Sequence, residues 1–206
     1  MKNEEEKSDD IIEIKAILLG ETGVGKTNLT NAAIDLRFEQ NCKSTSNALY
    51  VQKKMIFFGK NYQLRLWDTA GQEKYRALTK LFYKDSKVVI FVYDITNKKS
   101  FTELNYWINE IKESLGDEPV LGMIGNKSDL YEMKEVDETV AQKLAEEKGM
   151  KFKLVSTKDD PKSFKTFLRS LIKEYIIKIN GNFNEKNNIE LAMDEKEKNQ
   201  GSCFIF

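Results

Sequence analysis

The 206-residue chain carries 33 basic and 33 acidic side chains, for a formal charge of zero, with no histidine and two cysteines. That length supports one substantial core plus tails, and charge so balanced and dispersed argues against a polyanion-binding surface and so against nucleic acid as a partner. Without histidine there are no Ser-His or Cys-His nucleophiles and no histidine-ligated metals, which leaves carboxylates, hydroxyls, amides, lysine and backbone for any chemistry. Cys42 and Cys203 lie far apart, giving neither a disulfide framework nor zinc-ligand spacing. The apolar runs are shorter than a membrane-spanning helix needs and the amino terminus is acidic, so a cytosolic chain with reduced thiols is expected.

In chain order, Ile11 to Leu19 (IIEIKAILL) reads as a buried strand that ends at Gly20. A glycine-rich turn follows, and the spacing of Leu29, Ala32, Ala33 and Leu36 predicts a helix from Lys26 to Phe38. Three more strands are read at Tyr62 to Trp67, Lys87 to Tyr93 and Val120 to Gly125, apolar enough to be buried on both faces. Ser100 with Glu103 forms a capping-box pattern ahead of Phe101, Leu104, Trp107, Ile108, Ile111 and Leu115, with Gly116 ending that helix. Another helix runs from Asp137 to Lys148 and stops at Gly149. A short strand, Phe152 to Val155, precedes Asp160 and Pro161, an N-cap and first-turn pair opening a helix that carries Phe164, Phe167, Leu168, Leu171, Tyr175 and Ile179.

Strands alternating with helices imply a single α/β domain with a mostly parallel sheet covered on both faces, over residues 11–179. Residues 1–10 and 180–206, rich in Asn, Lys and Glu, read as disordered extensions. Ligands of such sheets sit beyond the carboxyl ends of the strands, so chemistry belongs in the loops after Leu19, Trp67, Gly125 and Val155.

The first of those loops, Gly20 to Thr27, reads GETGVGKT, a G-x-x-x-x-G-K-[ST] phosphate loop between strand and helix. Its glycines let backbone N–H groups converge on phosphate oxygens, and Thr22, Gly23, Val24, Gly25, Lys26, Thr27 and Asn28 are the nucleotide-binding residues expected there. The Lys26 amine would reach the β- and γ-phosphates and the Thr27 hydroxyl would hold Mg²⁺ between them. This motif alone leaves kinases, ATPases and GTPases open.

The second loop, Asp68 to Glu73 (DTAGQE), places a carboxylate at a strand end where it would orient a Mg²⁺-bound water. Gly71 would offer its N–H to a γ-phosphate and Gln72 would orient the attacking water. The third, Asn126 to Asp129 (NKSD), makes base specificity legible: the Asp129 carboxylate accepts from N1–H and the 2-amino group of guanine, donors that adenine lacks in that arrangement. Asn126 and Lys127 would brace the loop and pack along the base. Ser156, Thr157 and Lys158 would present a backbone N–H to the guanine O6, a reading no stronger than that of an ordinary turn before a helix.

GETGVGKT, WDTAGQE, NKSD and the later STK together resemble the Ras superfamily of small GTPases, over Ile11 to Ile179. Within it, LRLWDTAGQE, KYRALTKLFY, VVIFVYDIT and ELNYWINEI look like the Rab branch, and Thr22 sits where that branch often carries a small hydroxyl residue. The resemblance implies a P-loop NTPase fold, GTP and GDP as ligands with Mg²⁺, and slow hydrolysis completed by a partner. It further implies that Phe38 lies across the guanine edge and that Thr45 contacts Mg²⁺ and the γ-phosphate in the active state. The partners implied are an exchange factor, a GTPase-activating protein, effectors and a prenyl-binding or GDP-dissociation-inhibitor-type chaperone, with the chain itself a monomer. After Thr45, where most Rabs continue with an isoleucine-glycine-valine-aspartate-phenylalanine segment, this chain has Ser46, Asn47, Ala48, Leu49 and Tyr50, a change in the partner-reading strand.

The terminal Cys203, Phe204, Ile205 and Phe206 form a C-a-a-X box whose final phenylalanine favours geranylgeranyl. A single lipid gives reversible anchoring, and the preceding DEKEKNQGS lacks a polybasic patch, so the expected residence is dynamic, on the cytosolic face of an intracellular membrane. The leading functional expectation is a GTP-hydrolysing molecular switch in vesicle or membrane trafficking. A nucleotide-gated binding module without hydrolysis and a Ras-like signalling GTPase are the alternatives. A P-loop kinase would need an arginine-rich lid, and arginine is scarce.

Overall fold

In the computed structural model, residues 11–38, 49–69 and 82–181 are described. Six strands form one sheet in the order β2-β3-β1-β4-β5-β6: β1 (Ile12–Leu19), β2 (Leu49–Phe57), β3 (Lys60–Asp68), β4 (Val88–Asp94), β5 (Val120–Asn126) and β6 (Lys151–Val155). All neighbours run parallel except β2 and β3. The helices are α1 (Lys26–Ala33), α2 (Lys98–Thr102), α3 (Leu104–Leu115), α4 (Glu138–Glu147) and α5 (Pro161–Asn180), with a short 3-10 segment at Ser128–Met133.

The apolar runs of β1, β4 and β5 become central because each must be covered on both sides, and every residue of β4 is buried. Period-2 alternation then divides the core. Ile14, Ala16, Leu18, Ile90 and Val92 face α1 and α5, where Leu29, Phe164, Leu168 and Leu171 pack on them. Ile17, Leu19, Val89, Phe91 and Tyr93 face α3 and α4, meeting Leu104, Trp107, Ile111 and Ala141. Parallel strands with helices on both faces bring the carboxyl ends of β1, β3, β4, β5 and β6 to one edge, with Asp68 opposite Leu18 and Asn126 between Asp94 and Val155.

The mostly parallel α/β fold matches the expectation, and three local readings are corrected. The helix expected from Lys26 to Phe38 stops at Ala33. Asp35 adopts φ 66°, which breaks the helical ladder, and Leu36, expected on the buried face, is 56% exposed. Ser100 is not the N-cap of the tryptophan-bearing helix: the Asn97 side chain caps α2, accepting from the Ser100 N–H, and α3 follows with no side-chain cap. Ser100 instead lies in the first turn of α2. Apart from Leu49 and Tyr50, which fall in the segment read as the partner-reading strand, β2 was not expected as a strand. It pairs antiparallel with β3 at the sheet edge through a two-residue turn at Phe58 and Gly59, with φ 52° and 70°, the positive-φ geometry that suits a tight hairpin.

β5 carries a glycine for a packing reason. A Cβ at Gly125 would stand 2.6 Å from both Leu154 Cδ2 and the Tyr93 hydroxyl, and the Tyr93 ring is buried and held edge-on to Phe101 at 5.0 Å. Gly125→Ala is therefore expected to cost about 1–3 kcal/mol by overpacking and to lower the melting temperature by several degrees. A thermal melt as stable as that of the native chain would mean that Tyr93 and Leu154 yield without cost.

Candidate functional site

Gly25 caps α1 in the left-handed region at φ 97°, ψ 24°, with no side chain accepting from the helix N-terminus. The first N–H groups of α1 therefore lack intrahelical acceptors and point out of the helix, the electrostatic setting for an anion. A Cβ at Gly25 would fall 2.3 Å from Asn126 Nδ2, so only glycine lets β5 come this close. Through that gap Asn126 Nδ2 donates to the Val24 carbonyl at 2.8 Å, joining the first and third strand-end loops across 102 residues. Asn126 is 1% exposed, and its Oδ1 is buried without a hydrogen-bond partner among the described residues. An acceptor left in that condition costs about 1–3 kcal/mol, which suits a site completed by something bound.

Lys26 is 5% exposed, and its ammonium donates to two neutral carbonyls, Gly20 at 2.8 Å and Glu21 at 2.9 Å. Burial pushes this amine down to about 8, with the carboxylates of Asp68 and Glu21 opposing the shift. An anion delivered to the amine would offset that desolvation. Thr27 Oγ1 donates to Asp68 Oδ2 at 2.7 Å, so the hydroxyl of the first loop and the carboxylate of the second meet despite a separation of 41 residues in sequence. Among the described residues there is no group of three or more acidic or cysteine side chains to hold a metal. One hydroxyl and one carboxylate form a hard oxygen pair that suits Mg²⁺, a cation that takes few protein ligands and completes its shell with phosphate and water. Thr69 Oγ1 donates to the Leu18 carbonyl at 2.7 Å and fixes the exit of β3 beside β1.

The third and fourth of these loops converge on Asp129. Ser156 Oγ donates to its Oδ1 at 2.7 Å, Lys158 Nζ stands 3.9 Å from its Oδ2, and the Asp129 side chain keeps 11% exposure. Ser156 Oγ also accepts from the Asp159 N–H at 3.1 Å, which closes the turn that carries Thr157 and Lys158. The Asp129 carboxylate is thus aimed at Oδ1 by a serine hydroxyl and flanked at Oδ2 by the Lys158 ammonium.

Of the residues singled out from sequence, these bonds join Val24 to Asn126, Thr27 to Asp68 and Ser156 to Asp129, while Lys26 bonds to carbonyls of its own loop. Thr22 and Gly23 are exposed on the same loop, and Asn28 lies in the first turn of α1. Phe38 lies beyond α1 and is 39% exposed; no described contact ties it to Asp129. Thr45, Gly71, Gln72 and Cys203 lie outside the described residues. Two features escaped the sequence reading. The side chain of Ser156 acts on Asp129, where only a backbone donor was expected. Asp94, at the end of β4, forms an ion pair with Lys127 at 2.6 Å. The signal for Asp94 was available: a carboxylate closing a wholly apolar strand, in the same strand-end row as Asp68 and Asn126.

A family model described as the Ras family matches residues 15–176, which takes in the phosphate loop and every strand-end loop above. Ras-related protein Rab-21 of Geodia cydonium is 41% identical over 157 residues, spanning 76% of this chain and 69% of that protein. The Homo sapiens Rab-21 is 39% identical over 146 residues, 71% of this chain and 65% of its own length. Ras-related protein YPTC6 of Chlamydomonas reinhardtii is 31% identical over 201 residues, 92% of this chain and 93% of its own. With that match running from β1 into α5, and with relatives of this kind at this identity, the chain belongs to the Ras family and is a Rab-like, GTP-hydrolysing small GTPase.

Proposed function

We propose that the strand-end loops bind GDP and GTP with Mg²⁺ and that exchange and hydrolysis switch the chain between two partner-binding states in membrane trafficking. The observation that carries this reading is the Asn126–Val24 hydrogen bond, because it sets the base-reading loop against the phosphate loop at a fixed separation. The N–H groups around Gly23 to Thr27 and the Lys26 amine take the phosphates. Thr27 and Asp68, joined by Thr45 in the GTP state, would hold Mg²⁺, which would supply charge neutralisation for the phosphates. Asp129 accepts from the guanine N1–H and 2-amino donors, Lys127 lays its stem along the base, Phe38 covers the base edge, and the backbone of Ser156 to Lys158 donates to O6.

Guanine selectivity follows from Asp129. Replacing its carboxylate by an amide turns one acceptor into a donor, so Asp129→Asn is expected to weaken GDP about 100-fold or more and to favour xanthosine diphosphate. Competition of GDP, xanthosine diphosphate and ADP against a fluorescent nucleotide measures this. Equal affinity of the native chain for ADP and GDP would refute the assignment.

Hydrolysis in this reading depends on Gln72 orienting the attacking water and on the Gly71 N–H meeting the γ-phosphate. Gln72→Leu should bind GTP as tightly as the native chain but hydrolyse it on the order of tenfold more slowly, about 1.4 kcal/mol of barrier. Single-turnover phosphate release reads the rate. An unchanged rate, with and without an activating protein, would place water positioning elsewhere.

The switch would act with an exchange factor, a GTPase-activating protein, effectors and a chaperone of the GDP-dissociation-inhibitor type. No helix among the described residues is long and apolar enough to cross a membrane, so attachment is assigned to a geranylgeranyl thioether on Cys203, with the chain beyond residue 180 as the tether. A monomer cycling between cytosol and the cytosolic face of an intracellular membrane accounts for a single lipid without a polybasic patch. Cys203→Ser should move the protein wholly into the soluble fraction. Membrane recovery equal to that of the native chain, or an unlipidated C-terminal peptide by mass spectrometry of protein from native cells, would reject the anchor.

A further inference from the structure

Asp94 closes β4 opposite Asn126 in the parallel register, one residue away from Lys127. Its side chain is 9% exposed, and its two oxygens have separate partners. Oδ1 accepts from the Thr96 N–H at 2.9 Å and from the Thr96 hydroxyl at 2.7 Å. Oδ2 lies 2.6 Å from the Lys127 ammonium. A carboxylate this buried needs a countercharge, and Lys127 supplies it while its own backbone sits at φ 64°, ψ 37°, a region disfavoured for residues with a Cβ.

The residues just after Asp94 grip the same loop at both ends. The Ile95 N–H donates to the Asn126 carbonyl at 3.2 Å, and the Ile95 carbonyl accepts from the N–H groups of Glu135 at 2.8 Å and Val136 at 3.2 Å. The Lys98 N–H donates to Glu135 Oε2 at 2.9 Å. The backbone thus fixes where the loop begins and ends, and the Asp94 carboxylate fixes where the Lys127 side chain goes between those points.

The geometry points to Asp94 as a positioning residue for guanine-nucleotide retention: by fixing the Lys127 ammonium at the β4 edge, it holds the lysine stem along the base and slows nucleotide release. This rests on the proposed reading of Asn126 to Asp129 as the base loop. Asp94 makes no contact with nucleotide in this scheme and acts through Lys127 alone. Its effect falls on the base and not on the phosphates, so GDP and GTP should be affected alike.

Asp94→Asn isolates the ion pair, because the amide oxygen still accepts from Thr96 and the side chain keeps its volume. Release of mant-GDP and of mant-GTP, chased with excess unlabelled nucleotide at fixed Mg²⁺, should accelerate about tenfold for both. Association should stay within about twofold. In a Lys127→Met background the same substitution should change release by less than about twofold, since the partner it acts through is gone. Asp94→Glu, which keeps the charge, should restore most of the retention. Release by Asp94→Asn at the native rate, equal acceleration with and without Lys127, or an Asp94→Glu variant as fast as Asp94→Asn would each overturn the inference. A native chain that holds mant-GDP no better than mant-ATP would overturn the base-loop reading itself, and this inference with it.

Discussion

Asn126 reaches the Val24 carbonyl only because residue 25 has no side chain, and the architecture of the site hangs on that contact. β5 is pinned to the loop that precedes α1, and β4, lying between β1 and β5, is enclosed by the bond. The spacing between phosphate loop and base loop is therefore set by sheet geometry, with strands about 4.8 Å apart, and not by the loops themselves. Loops with this much polar backbone would otherwise stay mobile at the edge of a sheet. Here they inherit the rigidity of the most deeply buried strands.

The same edge concentrates charge that the core could not tolerate singly. Lys26, Asp68 and Asp94 are all nearly inaccessible to water, and each has a polar or charged group arranged against it before any ligand arrives. Asp68 has the Thr27 hydroxyl, Asp94 has Lys127 and Thr96, and Lys26 has two carbonyls. Such preorganisation spares a ligand the cost of turning dipoles toward it on binding. The half-buried Asp129 is treated in the same way by the Ser156 hydroxyl.

What was legible in the sequence tracks how local its physical cause is. β4 and β5 announce themselves as nearly unbroken apolar runs, β1 by the apolar stretch Ala16 to Leu19 after an alternating start, and α5 by the Asp160–Pro161 entry that the structure keeps as N-cap and first turn. β2 was invisible because an edge strand needs few apolar residues: Gln52, Lys53 and Lys54 interrupt its pattern, and it is recognised only by its pairing with β3. The early end of α1 turns on one left-handed residue, Asp35, that propensity does not foretell. In the site, Lys26, Thr27, Asp68, Asn126 and Asp129 were readable because each lies at the end of a strand that could be placed or in the loop that follows it. The Asp94–Lys127 and Ser156–Asp129 pairs were not, since they depend on which strand lies beside which, and on loops 27 residues apart in the latter case.

The left-handed residue that ends α1 also has a mechanical meaning. The Asp35 carboxylate is shared by Lys53 of β2 and Lys165 of α5, and Lys53 reaches the Ala33 carbonyl as well, at 2.7 Å. Each exposed ion pair contributes little stability, yet all of them meet at the point where the chain leaves α1. The exit of the chain from α1 is thus set by side chains of two other elements, the sheet edge and the long C-terminal helix, and not by α1 alone.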